Sequence, residues 1–468
     1  MKLTSLLLTL AVLVSGLALF PSESRAADKR PPNIILIMAD DLGYGDIEPF
    51  GQSKFETPSL QKLADEGVML TDFYSGSAVC QPSRESLMRG MHTGRTQRQF
   101  NTERPLRPDD VTIAEKLKQA GYVTAIAGKW SLGTGGTTGA AEAQGFDHVF
   151  GFRSMRGGVD RYFPEAMVWD GKKKPYPGNV DGGRTNFSSY ELREAVLGVI
   201  EENKDKPFFI YFPMILPHAD ISPPQDMVDA FSGRYPETPF EGGHFKAQNA
   251  PNAAFAAMVT ILDDTVGAVM EKLQAEGLDR ETLVIFTSDN GPVSVGGRDH
   301  LFFNSAKGLR GTKDTLYEGG IRVPFIARWP GHIPEGASSS VPGAFQDIFP
   351  TLADAAGLKP GPTPTGRSLL PALLDPDAAM PERPLYWALD DRKAKCAPAA
   401  EKGVPRKAHS EAVRLGNWKA IRPDCNAGIA LYDLSKDPGE QHDVAAEHPE
   451  VMETITAIMA EEYAPDWR

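Results

Sequence analysis

The feature that most constrains this chain is a set of short, unbroken apolar runs separated by helical patterns. "NIILIMA" (Asn33 to Ala39) is followed by "YVTAIAG" from Tyr122, "PFFIYFP" from Pro207, "TLVIFTSD" from Thr282 and "VPFIARW" from Val323. Runs this short, with no polar alternation, read as strands buried on both faces, as in a parallel sheet. Between them lie "SLQKLADEG" ending at Gly67, "VTIAEKLKQAG" ending at Gly121, and "YELREAVLGVIEENK" before the Pro207 run. The longest helical pattern runs from about Asn252 to Gly277. Its Phe255, Met258, Val259, Leu262, Val266, Val269, Met270 and Leu273 keep helical spacing. This alternation predicts an α/β fold: a large, mostly parallel sheet sandwiched by helices. Pro371 to Pro384 is rich in Pro, Asp and Ala and marks a boundary. The expected units are therefore 27–375 and 376–468. The second, with "LYWALD", "EAVRLGNWKAIR" and "IALYDL", reads as a small antiparallel sheet followed by a helix from about Pro449 to Tyr463.

Residues 1–26 have the layout of a cleavable signal peptide: Lys2, an apolar stretch from Leu6 to Phe20, and the small-x-small site Ser24-Arg25-Ala26. Export to a periplasmic or extracellular space is expected, with no later stretch apolar enough to span a bilayer. The net charge of -13 argues against general nucleic-acid binding. It also means that an anionic substrate needs a locally positive pocket. There are three cysteines. In an oxidising compartment Cys396 and Cys425 could pair, leaving Cys80 alone.

Asp40-Asp41 follows the Asn33 run, and Asp289-Asn290 follows the Thr282 run. Ligands in open α/β sheets bind beyond the carboxyl ends of strands. Four oxygen-bearing side chains could therefore meet there and hold a hard divalent cation such as calcium or magnesium. The plainer alternative is two turns. Zinc is disfavoured by nine scattered histidines. A third constellation, "CQPSR" from Cys80 to Arg84, precedes a helix expected over Ser83 to Arg89. A group just before a helix N-terminus meets exposed N–H donors, which suits a developing anion. A small buried cysteine beside ordinary helix-start chemistry is the other reading.

C-x-P-S-R, with Leu87 and then Gly94-Arg95, resembles the signature of the type I sulfatases of the alkaline phosphatase superfamily. Other segments are similar to that family in order along the chain. They are "PNIILIMADDLGYGD", "GYVTAIAGKWSLG", "PFFIYFPMILPHAD", "MVTILDDTVG", "VIFTSDNGP", "LRGTKDTLYEGGIRVPFIARWPG" and "LYDLSKDPGEQHDV". The resemblance implies that a formylglycine-generating maturation enzyme oxidises Cys80 to formylglycine (3-oxoalanine). One hydroxyl of the hydrated aldehyde would attack sulfur, and loss of a proton from the other would then expel sulfate. It also implies a calcium ion on Asp40, Asp41, Asp289 and Asn290. Arg84 would hold the diol and the carboxylates. Lys129 and Lys313 would bind sulfate and leaving-group oxygens, and His218 would protonate the departing alcohol.

The chain departs from the family in "GKWSLG", where Ser131 replaces a histidine that usually contacts the diol. Serine is no base near neutral pH, so His92 or His300 is expected to substitute. Arg89, Arg95, Arg98, Arg104, Arg107 and the basic segment Arg392 to His409, with Tyr162, Phe163 and Trp169, suggest a sulfated saccharide substrate, with aryl sulfates as surrogates. A phosphoester hydrolase of the same superfold and a non-catalytic carbohydrate-binding relative are the alternatives. The segments 90–108 and 132–187, including "GTGGTTG", show no clear periodicity and read as loops.

Overall fold

The Asn33–Ala39 strand, every residue buried, lies inside a ten-stranded sheet. The structure, a computed structural model, describes residues 30–152, 160–390 and 409–464. The leader 1–26, Cys396 and nearly all of the basic segment Arg392 to His409 fall outside the described residues. In spatial order the strands are Ala337–Ser339, Val68–Leu70, Phe325–Arg328, Thr282–Ser288, Asn33–Ala39, Phe208–Pro213, Val123–Gly128, His148–Gly151, Ala166–Trp169 and Lys172–Pro175. The five from Thr282–Ser288 to His148–Gly151 run parallel. Antiparallel pairings occur on both flanks, so the sheet is mixed. Alternate residues of the central strand enter separate cores, Ile35 and Ile37 on one face and Ile34, Leu36 and Met38 on the other. Fully burying each such side chain contributes roughly 1.5–3 kcal/mol.

The Pro251–Ala275 helix has the length and mean hydropathy of a membrane-crossing segment, contrary to the expectation that none existed. Its apolar residues are instead the largest helical contribution to one core, packed with the Ser188–Glu202 and Pro58–Asp65 helices. Asp263 of that long helix accepts the N–H groups of Ser59 and Leu60 at 3.0 and 2.7 Å, capping the Pro58–Asp65 helix from another part of the chain. Thr57, the residue before that helix, makes no such bond. Residues 132–187 are not simply loops: they hold three four-residue strands and a 3-10 turn at Ala141–Gln144. Strands that short, one of them "KKKP" at the exposed sheet edge, leave no apolar alternation to read.

The small sheet is antiparallel and ordered Leu385–Asp390, His409–Leu415, Trp418–Arg422, Ala430–Asp433. One face packs on the Pro449–Glu462 helix. From the other, Trp387, Leu389, Ile421 and Tyr432 pack with Tyr74, Val79, Leu316 and Ile321. This face thus abuts the chain just before Cys80 and just after Lys313.

Candidate active site

Four adjacent parallel strands deliver their following residues to one edge of the sheet. Asp40 and Asp41 follow Asn33–Ala39, and Asp289 and Asn290 follow Thr282–Ser288. Lys129 follows Val123–Gly128, and His218 comes after Phe208–Pro213. This is where an open α/β sheet places its ligands. The Cys80–Arg89 helix supplies Cys80 and Arg84, and a loop supplies Lys313. The helix begins at Cys80, three residues earlier than expected. Pro82 fits its first turn because the N–H that proline lacks would have no intrahelical partner there.

The nine residues expected for metal binding and catalysis, Asp40, Asp41, Cys80, Arg84, Lys129, His218, Asp289, Asn290 and Lys313, lie within this cluster. Cys80 Sγ lies 3.5 Å from Asp40 Oδ1 and 3.4 Å from Lys313 Nζ. Arg84 donates from Nε and Nη2 to Asp289 Oδ2 at 3.1 and 2.8 Å, and from Nη1 to the Lys129 carbonyl. Lys129 Nζ meets Asp40 Oδ2 at 2.7 Å, and Lys313 Nζ meets Asp41 Oδ1 at 2.6 Å. Asn290 Nδ2 donates to Asp41 Oδ1 at 2.8 Å. His218 Nε2 stands 3.7 Å from Asp41 Oδ2. Three carboxylates and three cations thus balance in a buried cluster, with Arg84, Asp40, Asp41 and Asp289 all at most 1% exposed.

This setting shifts the titrating groups. Burial and Asp289 push the Cys80 thiol up to about 12, so an unmodified Cys80 is a protonated, weak nucleophile. Burial also pushes the Asp40 carboxyl up, but Lys129, His218 and Arg84 outweigh it and hold the group low. Burial and Asp40 keep Asp289 raised. Burial drives His218 down to about 4 against the pull of Asp40 and Asp41. The Ala219 carbonyl, 2.9 Å from His218 Nδ1, can only accept, so Nδ1 carries the proton and Nε2 faces the cluster bare.

The cluster fits a hard cation. Asp41 Oδ2 and Asn290 Oδ1 are buried without hydrogen-bond partners. Single ligand atoms of Asp40, Asp41, Cys80 and Asp289 lie within 4.8 Å of one another. Three carboxylates and an amide oxygen are a donor set for calcium or magnesium rather than a soft metal.

Several expectations around the cluster need correction. His92 donates from Nε2 to Glu462 at 3.1 Å, while its Nδ1 accepts the Gly94 N–H at 3.2 Å. Both ring nitrogens are committed, so His92 does not stand in for the missing histidine. His300 lines a separate cavity of about 310 Å³, and its charged neighbours are Arg298, Asp299 and Asp46. The arginines of 89–107 are mostly structural. Arg89 and Arg98 pair with Glu85, Arg95 with Glu462 and Arg107 with Asp110. Arg104 lines a cavity of about 1080 Å³ together with Gln81, Trp130, Ser131, Phe150 and Lys173. Gln81 and Trp130 directly follow Cys80 and Lys129. Ser131 has φ 65°, a conformation rare for a side-chain-bearing residue, and its Oγ is buried with no partner. Tyr162 and Phe163 are core residues rather than a stacking platform. The Tyr162 hydroxyl lies 2.7 Å from the His218 carbonyl and supports that turn. Sequence reading also missed Arg298, which donates to the Asp41 carbonyl at 2.6 Å and pairs with Asp46.

Comparison with known proteins gives the same assignment over most of the chain. The Sulfatase family profile matches residues 32–358, and the profile for the C-terminal part of N-sulphoglucosamine sulphohydrolase matches 311–464. The chain is 33% identical to human arylsulfatase A, over 92% of this chain and 87% of that one. It is 28% identical to the N-acetylgalactosamine-6-O-sulfatase of Bacteroides thetaiotaomicron, over 96% and 97%. The crystal structure of Ps i-CgsB in complex with k-i-k-neocarrahexaose superposes with a TM-score of 0.77 at 26% identity, covering 92% of both chains. This chain therefore belongs to the sulfatase family of the alkaline phosphatase superfamily and is a sulfuric ester hydrolase.

Proposed function

We propose that the protein is an exported, calcium-dependent sulfatase that removes sulfate from a sulfated carbohydrate, using formylglycine made from Cys80 by a maturation enzyme. The observation that carries this reading is the position of Cys80, buried at the start of its helix between the Asp40 carboxylate and the Lys313 ammonium. Hydrated formylglycine would supply a hydroxyl nucleophile and a second hydroxyl whose ionisation releases sulfate. A calcium ion on Asp40, Asp41, Asp289 and Asn290 would neutralise sulfate oxygens. Arg84 holds Asp289 and the Lys129 backbone in register. Lys129 and Lys313 offer ammonium donors to the sulfate and the leaving oxygen. His218, neutral in the free site, gains a proton at Nε2 more readily once an anion lies beside it. It can then pass that proton to the departing alcohol.

Two relatives support the carbohydrate assignment, since one is named for N-acetylgalactosamine 6-sulfate and another binds a neocarrahexaose. The leader pattern of residues 1–26 supports export. The test is mass spectrometry of the Cys80 peptide from protein made with a maturation enzyme, alongside sulfate release from sulfated galactans and glycosaminoglycans, with and without chelator. Conversion of Cys80 and chelator-sensitive release are expected. Unmodified cysteine in a protein that still releases sulfate would overturn the formylglycine step, and chelator-resistant release would overturn the calcium requirement.

A further inference from the structure

The loop that carries Lys313 begins near Arg310 and ends at the four-residue helix Glu318–Ile321. Both ends close on one residue of the C-terminal part of the chain. The Glu440 carbonyl accepts Arg310 Nη1 at 2.8 Å, and its carboxylate accepts the Glu318 N–H at 2.7 Å. Glu440 is fully buried and has φ 52°. Its other carboxylate oxygen lies 3.4 Å from Lys419 Nζ, which reaches Glu318 Oε1 at 2.9 Å. Glu318 is further held by the Tyr74 hydroxyl at 2.8 Å and by Arg322 at 3.3 Å.

The same loop is tied directly to the catalytic cluster. The Lys313 N–H donates to the Pro292 carbonyl at 2.9 Å, and the Asp314 N–H to the Ala78 carbonyl at 2.9 Å. The Gly291 N–H donates to the Gly320 carbonyl, also at 2.9 Å. A Cβ on Gly291 would meet the Gly319 carbonyl at 1.9 Å, so the loop end and the chain beside Asn290 are in tight contact. A shift of the loop ends would move Lys313 relative to Asp41 and Cys80.

We propose that Glu440 is a positioning residue that clamps both ends of the Lys313 loop and so sets the lysine ammonium against the reacting centre. The carboxylate holds the Glu318 end and the backbone carbonyl holds Arg310; burying that carboxylate costs desolvation that a surface residue would avoid. Lys419 and the Glu318 N–H compensate it here. This inference rests on the catalytic part given to Lys313 above.

The test is a double-mutant cycle with a chromogenic aryl sulfate as probe. Glu440→Ala is expected to lower kcat/KM by about tenfold or more, since displacements near 1 Å at a catalytic group cost on that order. Glu440→Gln keeps the oxygen acceptor and is expected to recover most of the loss. In a Lys313→Ala background Glu440→Ala should cost less than about twofold further. An undiminished loss in that background, or a Gln variant as poor as Ala, would overturn the proposal. A second measurement does not need activity: hydrogen exchange of the peptide covering 310–318, followed by mass spectrometry. Faster exchange in Glu440→Ala and wild-type exchange in Glu440→Gln are expected, and unchanged exchange in both would also refute the clamp. If the wild-type protein releases no sulfate from any ester, the functional reading fails while the exchange result still decides on the clamp.

Discussion

Replacing Arg84 by methionine tests whether charge balance governs the active site. Arg84 is one of three cations facing the buried Asp40, Asp41 and Asp289. Methionine fills much of the space but leaves one excess negative charge. Breaking a buried pair in this way costs about 3–5 kcal/mol. A chain of this size has an unfolding entropy at its midpoint near 1 kcal/mol/K, from about 2.1 cal/mol/K per residue. The expected fall in Tm is therefore about 3–5 °C in chelator, read by differential scanning calorimetry. On the proposed calcium site, added calcium would supply the missing positive charge to the native state; at a thousandfold over its Kd it would raise the variant by about 4 kcal/mol, back to the level of the wild type in chelator. The pH dependence has a definite sign. Asp289 titrates above its ordinary 3.8 because of burial and Asp40. A carboxyl raised in the folded state favours folding at low pH and loses that contribution as pH rises through its folded value. The Arg84→Met deficit should thus be larger at pH 8 than at pH 5, where Asp289 more readily takes a proton. A variant that melts within about 1 °C of wild type in chelator would refute the reasoning. So would a deficit that neither calcium nor acid reduces.

Two further expectations concern other parts of the molecule. Ser131→His places a ring on the wall shared with the 1080 Å³ cavity. It should lower kcat/KM for a sulfated oligosaccharide by at least tenfold more than for a small aryl sulfate, if the leaving group enters that cavity; equal effects would count against it. Asp263 is pushed up to about 6 by burial, although it accepts two N–H bonds. Its ionised form is then disfavoured by roughly 3 kcal/mol relative to the unfolded chain. Its contribution is fully present below pH 3.8 and fades as pH rises through 6. Asp263→Asn should be about 1 kcal/mol less stable than wild type at pH 4.5 through a lost acceptor. The gap should close or reverse by pH 8; parallel urea-unfolding stabilities across that range would contradict this.

The parts of the fold legible in the sequence are those where burial acts on consecutive residues. The five apolar runs each became strands because their residues are buried on both sheet faces, and the oxygen-bearing pairs after them lie where strand ends must place them. The Cys80 segment was legible because its residue types recur in a family. What stayed hidden was set by contacts between distant segments. Nothing local marks Tyr162 as the support of the His218 turn or Arg298 as a partner of the Asp41 carbonyl. The arginines of 89–107 read as a basic patch because their acidic partners lie just outside that segment, at Glu85 and Asp110, or far from it, at Glu462. The Lys172–Pro175 strand exists through pairing with its neighbour, not through an apolar pattern of its own.

The central position of the Asn33–Ala39 strand also sets an order of events during synthesis. Asn33 bonds to Phe208 and Thr282, partners 175 and 249 residues later. Until those segments emerge, the middle of the sheet has no neighbours and the Cys80 helix has no Asp289 to lie against. An enzyme that must reach the Cys80 side chain therefore meets an accessible extended chain early and a sealed site late. On the proposed conversion of Cys80, the interval between translation of residue 80 and of residue 290 would be the natural window for chemistry at that cysteine. Variants that speed closure of the sheet should leave more of it unconverted.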